Sequence, residues 1–233
     1  MKTFNMNHLK RSIIHIPVIA TVIFVLLLAV AMSVYPGGTE NDIATEGYIF
    51  SQNYISDLGR TISPSGDNNM VSFMIFLAAF GVMTAAFFNY YYKMHTFYTT
   101  SYQMNSNALK LGTFFGMCTS LCFIGVALTP ANMNMKDHIM FAEWLFRFLF
   151  ASTCLHAFAF YQKKETLLML SFAHLLMAIG TGLYILFSDL KFNSLFFDDI
   201  HKAEVISQKL IVGFLIAGIL MNGYSHSKNL KNV

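Results

Sequence analysis

Six apolar runs, each long enough to cross a lipid bilayer, limit what this chain can become. They fall at 13–34, 70–92, 109–128, 139–161, 166–187 and 205–224. A helix of ~20 apolar residues, rising ~1.5 Å per residue, spans the ~30 Å hydrocarbon core. The expected fold class is therefore all-α: a polytopic six-transmembrane-helix bundle, one domain over 1–233. Composition agrees, because 55% of the 233 residues are hydrophobic and 12% are charged, against about 25% charged in a soluble domain. Lipid solvates an apolar excess that so few charges could not cover in water.

The formal charge of +3 comes without a basic run, which excludes a nucleic-acid partner. Cys118, Cys122 and Cys154 all lie inside apolar runs and read as small filler, not as a disulfide framework. Lys10 and Arg11 precede the first run, as in a signal peptide. Its length exceeds the ~7–15 residues of a signal core, so it is expected to stay as a helix.

Between the first two runs lies the most polar stretch of the chain, an outer loop over 35–69. It carries Asp57, Arg60, Asp67, Asn68 and Asn69, punctuated by Gly59, Pro64 and Gly66. Residues 51–58 are expected to form a short interfacial helix, with Phe50, Tyr54 and Leu58 on one face. Residues 94–108 read as a polar connector, and Gly112 and Gly116 as a site of close helix approach. Pro130 ends the third run. A second polar connector, 188–204, holds Asp189, Asp198, Asp199, His201, Lys202 and Glu204.

Charge sets the expected orientation. Lys2, Lys10, Arg11, Lys93, Lys110, Lys163, Lys164, Lys228 and Lys231 flank one side, against Arg60, Lys136, Lys191 and Lys202 on the other. The Lys/Arg-rich side is cytoplasmic. Both termini are expected there, with the 35–69 loop outside, in a bacterial inner membrane.

Polar residues inside the runs share faces. His201, Glu204 and Gln208 fall at i, i+3 and i+7 on the sixth helix, and Glu143 and Arg147 at i and i+4 on the fourth. From His138 at the rim, Glu143 lies ~8 Å deeper and Arg147 ~13 Å deeper; Lys209 lies ~12 Å below His201. Such charges are costly in lipid unless they meet a pocket or one another. One outward-opening pocket accommodates them, with Asp57, Arg60, His138, His201 and Glu204 above, and Glu143, Arg147, Gln208 and Lys209 below. The competing reading makes Glu143–Arg147 a structural pair and the outer residues ordinary interfacial ones.

No cofactor or metal is assigned. His138, His201, Asp57 and Glu204 are of zinc-ligating type but come from separate segments without tight spacing. His156 and His174 could face each other as haem ligands, although packing is the favoured reading.

Asn53-Tyr54-Ile55-Ser56-Asp57-Leu58-Gly59 resembles the first-loop signature of a bacterial family of six-span membrane proteins to which no function is assigned. Pro130 closing the third run and His138 opening the fourth are similar too. More distantly, the Ser-Asp-x-Gly element is similar to the first loop of membrane proteins of the damage-regulated autophagy modulator type. The resemblance implies a six-helix membrane protein with its distinctive residues at the outer loops, and it supplies no catalytic residue.

The leading functional expectation is a protein that binds a membrane lipid or other small amphiphile. Arg60, Arg147 and Lys209 would attract an anionic headgroup, and Phe (24 residues) and Met (15) would line the chain site. The alternatives are a metal-assisted lipid hydrolase, an ion-coupled transporter using Glu143 and Arg147, and an accessory subunit of a membrane complex.

Overall fold

The apolar runs form six helices: α1 His8–Ser33, α2 Met70–Ser101, α3 Asn107–Leu128, α4 Met135–Tyr161, α5 Lys164–Ser188 and α6 Ile200–Asn229. The computed structural model describes residues 6–189 and 199–229. Lys2, Lys191, Asp198 and Lys231 of the charge pattern lie outside the described residues. The fold is an all-α six-helix bundle, and the described residues contain no strand, only the isolated bridges Gly37–Glu46 and Ile62–Asn68. Six helices of this length and apolarity make the chain an integral membrane protein. Outward-facing Leu26, Phe114, Leu121 and Leu210 are each more than half exposed, which only lipid tolerates at that density.

Local chemistry sets the helix limits. Pro17 has no N–H to return to the turn before it, and Arg11–His15 just ahead of it is wound as a π-helix. The Ser106 hydroxyl caps α3 by accepting from Leu109 N at 3.2 Å, and Asn134 caps α4 by accepting from Asp137 N at 3.2 Å. Pro130 follows the end of α3.

Each helix packs on the next, and α6 returns to α1, so the helices form a ring. At the end holding the 35–69 loop (the loop end), Phe24, Phe76, Phe80 and Leu58 belong to one core cluster. At the opposite, terminal end, Leu109, Tyr98, Phe97 and Phe160 belong to another.

Two local expectations are corrected, and the close approach expected at Gly112 and Gly116 is made by two different helices. Residues 94–101 are not connector: α2 runs through them, about 14 Å past the expected stop. Met94, Phe97 and Tyr98 are completely buried there, and that burial outweighs the polar residues between them. The 51–58 helix is replaced by a 3-10 turn, Ile55–Gly59. It has no common apolar face, since Leu58 is 0% exposed and Phe50 62%. Gly112 and Gly116 admit rings from two different helices. A Cβ would lie 3.1 Å from the His156 ring at Gly112 and 2.4 Å from the Tyr91 ring at Gly116.

Candidate functional site

The loop folds around Asn53, which is 0% exposed. Its amide nitrogen donates to Gly38 O at 2.9 Å and to Asp57 Oδ2 at 3.3 Å, while its Oδ1 accepts from Ile49 N at 2.9 Å. Asp57 Oδ2 also accepts from Tyr54 N at 2.9 Å, and Asp57 Oδ1 pairs with Arg60 Nε at 3.1 Å. Asn69 Nδ2 donates to Arg60 O at 2.8 Å and Ser72 Oγ to Leu58 O at 3.2 Å, tying the turn to the start of α2. Buried backbone and side-chain polar groups must find such internal partners.

One face of α6 latches this loop. The imidazole His201 Nε2 donates to Gln52 O at 2.8 Å, Glu204 Oε2 accepts from the Tyr54 hydroxyl at 2.7 Å, and Gln208 Oε1 accepts from Ile55 N at 2.9 Å. Burial first, and then the hydrogen bond to Glu204, push the Tyr54 hydroxyl up from its ordinary pKa, so it donates as a neutral phenol. Lys209 Nζ donates to Asn53 O at 2.7 Å and lies 4.9 Å from the Phe50 ring centroid. The need of this intramembrane ammonium for partners is thus met by a carbonyl and an aromatic face.

Inside the ring lies a cavity of about 560 Å³, lined by residues of all six helices and of the loop. On α6 the lining runs from Glu204 to Gly223, ~28 Å of helix, close to the thickness of a hydrocarbon core. Tyr54, Ser56, Asp57, Arg60, Glu40, Glu143 and Glu204 contribute at the loop end. The middle is apolar, with Phe80, Met83, Phe123, Leu145 and Leu149.

The structure brings Asp57, Arg60, His138, Glu143, Glu204 and Gln208 into this lining and leaves Arg147, His201 and Lys209 out of it. Arg147 pairs with Glu143 at 3.0 Å, both side chains about a third exposed, and lies 5.4 Å from the Trp144 ring. His138 Nδ1 donates to Thr129 O at 2.8 Å, and His201 Nδ1 approaches Glu40 at 3.3 Å. The four residues weighed as zinc ligands are engaged separately, and no group of three or more metal-ligating side chains occurs among the described residues. His156 and His174 touch with ring centroids 5.1 Å apart, which leaves no room for a porphyrin between them.

Sequence reasoning missed Asn53 and Tyr54 as structural hubs. Both begin the Asn53–Gly59 stretch singled out above, and the density of polar residues around it was the one available signal. No protein-family model, curated protein or solved structure matches this chain.

Proposed function

We propose that the protein binds an amphiphile from the extracytoplasmic leaflet, holding its chain in the cavity and a positively charged headgroup at the loop end. The observation that carries this reading is the sign of the lining charge. Among the described lining residues four acids, Glu40, Asp57, Glu143 and Glu204, stand against one base, Arg60, with Arg147 outside the lining paired to Glu143. An anionic headgroup would have needed Arg147 and Lys209, which lie outside the cavity. The Tyr54 ring beside the carboxylates adds a face for a cation. A volume of about 560 Å³ falls within the ~300–1,000 Å³ of small-molecule sites, which are mostly apolar with a few placed polar groups.

The test uses the full chain in nanodiscs with two probes of equal chain length, an alkyl trimethylammonium and an alkyl sulfate. The ammonium binds more tightly, and added salt or Glu143→Gln weakens it. Equal binding, tighter binding of the sulfate, or no binding of either rejects the reading.

A further inference from the structure

Glu40 lines the loop end of the cavity and keeps 69% of its side chain exposed. Its Oε2 lies 3.3 Å from Nδ1 of His201, the first residue of the α6 latch, whose side chain is 16% exposed. Glu204, the next latch residue, accepts from the Tyr54 hydroxyl at 2.7 Å. The Tyr54 ring stands edge-on to the His201 ring, with centroids 5.3 Å apart. Burial first, then Glu204, and then the charges of Glu40 and Asp57 hold the proton on Tyr54, so three lining carboxylates converge on one hydroxyl.

The proton count at His201 does not close for a neutral ring. Nε2 donates to Gln52 O at 2.8 Å; a backbone carbonyl only accepts, so Nε2 carries a proton. In the uncharged imidazole Nδ1 is then a bare lone pair, facing a carboxylate that also only accepts. Two acceptors at 3.3 Å repel, and one further proton, held by the ring or the carboxyl, turns the contact into a charge-assisted hydrogen bond. The Gln52 bond needs no extra proton; the Glu40 contact does. Imidazole is the side chain that gains its charge between pH 5 and 8. Among the described residues, the charged or titratable groups around it are Glu40 and Tyr54 from the loop, and its sequence neighbours Asp199, Lys202 and Glu204.

We infer that His201 is a positioning residue of the headgroup site: on gaining a proton it takes Glu40 as its partner and withdraws that carboxylate from a bound cation. This rests on the cationic-headgroup reading above and adds its control. Acid loosens the ligand, and by linkage the ligand expels a proton from the pair. His201 does this from outside the cavity lining, without touching the ligand.

The experiment uses the full chain in nanodiscs and an alkyl trimethylammonium probe, whose charge is permanent, so pH acts on the protein alone. Affinity is referenced to empty nanodiscs at about pH 8 and about pH 5.5, a window above the ordinary carboxylate range. The probe binds about threefold more weakly in acid, the scale of an exposed ion pair. Between the two pH values its binding releases a fraction of a proton. His201→Gln removes both effects and keeps the tighter affinity in acid. Glu40→Gln, an exposed change that leaves the Gln52 bond intact, lowers affinity in the alkaline sample to the acid value and also ends proton release. His138, which lines the cavity, supplies the control imidazole: His138→Gln leaves the pH effect in place. If the unaltered protein binds the probe equally at both pH values, or His201→Gln keeps the pH effect, this inference falls while the headgroup reading stands. Loss of the effect in His138→Gln overturns it in the same way. If the probe binds at neither pH, both fall.

Discussion

Lys209 and Asn53 meet through an ammonium-to-carbonyl hydrogen bond of 2.7 Å across 156 residues of sequence. The same carbonyl accepts from the Tyr48 hydroxyl at 3.0 Å, so one oxygen joins the loop to itself and to the last helix. The charge that looked like a ligand hook is therefore a strut of the cavity's cap.

Lys209→Met removes both the donor to Asn53 O and the cation over the Phe50 ring. Tyr48 still serves the Asn53 carbonyl, so the expected loss is modest, ~1–2 kcal/mol. Limited proteolysis should cut the 35–69 loop faster while helical circular dichroism stays unchanged. Lys228→Met, whose ammonium lies 4.8 Å from the Tyr224 ring, is the control and should leave loop cleavage alone. Equal cleavage in both variants would count against the strut.

Gly38→Ala and Gly66→Ala separate backbone strain from crowding. Both glycines have positive φ, +81° and +89°, but a Cβ at Gly38 would lie 2.3 Å from Ser65 N and at Gly66 would meet nothing within 4 Å. Gly66→Ala should cost ~1–2 kcal/mol, the price of a left-handed conformation. Gly38→Ala must also displace backbone, so its melting temperature in detergent should drop well below that of Gly66→Ala. Equal melting points would show that the loop yields at Gly38.

The loop should weaken in alkali. Burial is the first cause, and the nearby Asp57 carboxylate or the Glu204 hydrogen bond adds to it, in raising Tyr35, Tyr48 and Tyr54 above the ordinary 10.0. Below pH 10 these phenols are protonated whether the loop is folded or open, so their contribution is complete. Above it the open state ionises and the folded state does not, and stability falls as pH rises. Phenolate absorbance should show a late, cooperative step coinciding with protease sensitivity of the loop. Independent ionisation of these tyrosines near pH 10 would contradict this.

Orientation is tested by labelling. In a cysteine-free background, Ser65→Cys should react with an impermeant thiol reagent applied to intact cells, and Ser227→Cys only after permeabilisation. The reverse pattern would invert the proposed topology and place the cavity's carboxylates inside.

The residues show what was readable and why. Span-length apolarity is a local property, so six helices and their order follow from composition along the chain. The His201–Glu204–Gln208 face was readable as well, because helical periodicity alone puts those three side chains together. What they touch was not: Gln52 O, Tyr54 and Ile55 N lie about 150 residues away, and only the tertiary fold pairs them. The α2 extension escaped because 94–108 read as a polar connector, whereas Tyr98 is held by Phe160 of α4, 62 residues further along the chain. Phase and depth suggested a shared pocket for Arg147 and Lys209, but depth along a helix does not fix the direction of a side chain. Both leave the cavity for nearer partners, an acid one turn up and a carbonyl overhead.

The latch also sets a timetable. The loop partners of Glu204, Gln208 and Lys209 precede them by 150, 153 and 156 residues. At ~5–20 residues per second of synthesis, the loop leaves the ribosome roughly 8–30 s before α6 exists to receive it. During that interval water must serve the Tyr54 hydroxyl and the Ile55 amide, and the cap of the cavity cannot acquire its final form before the start of α6 has been made.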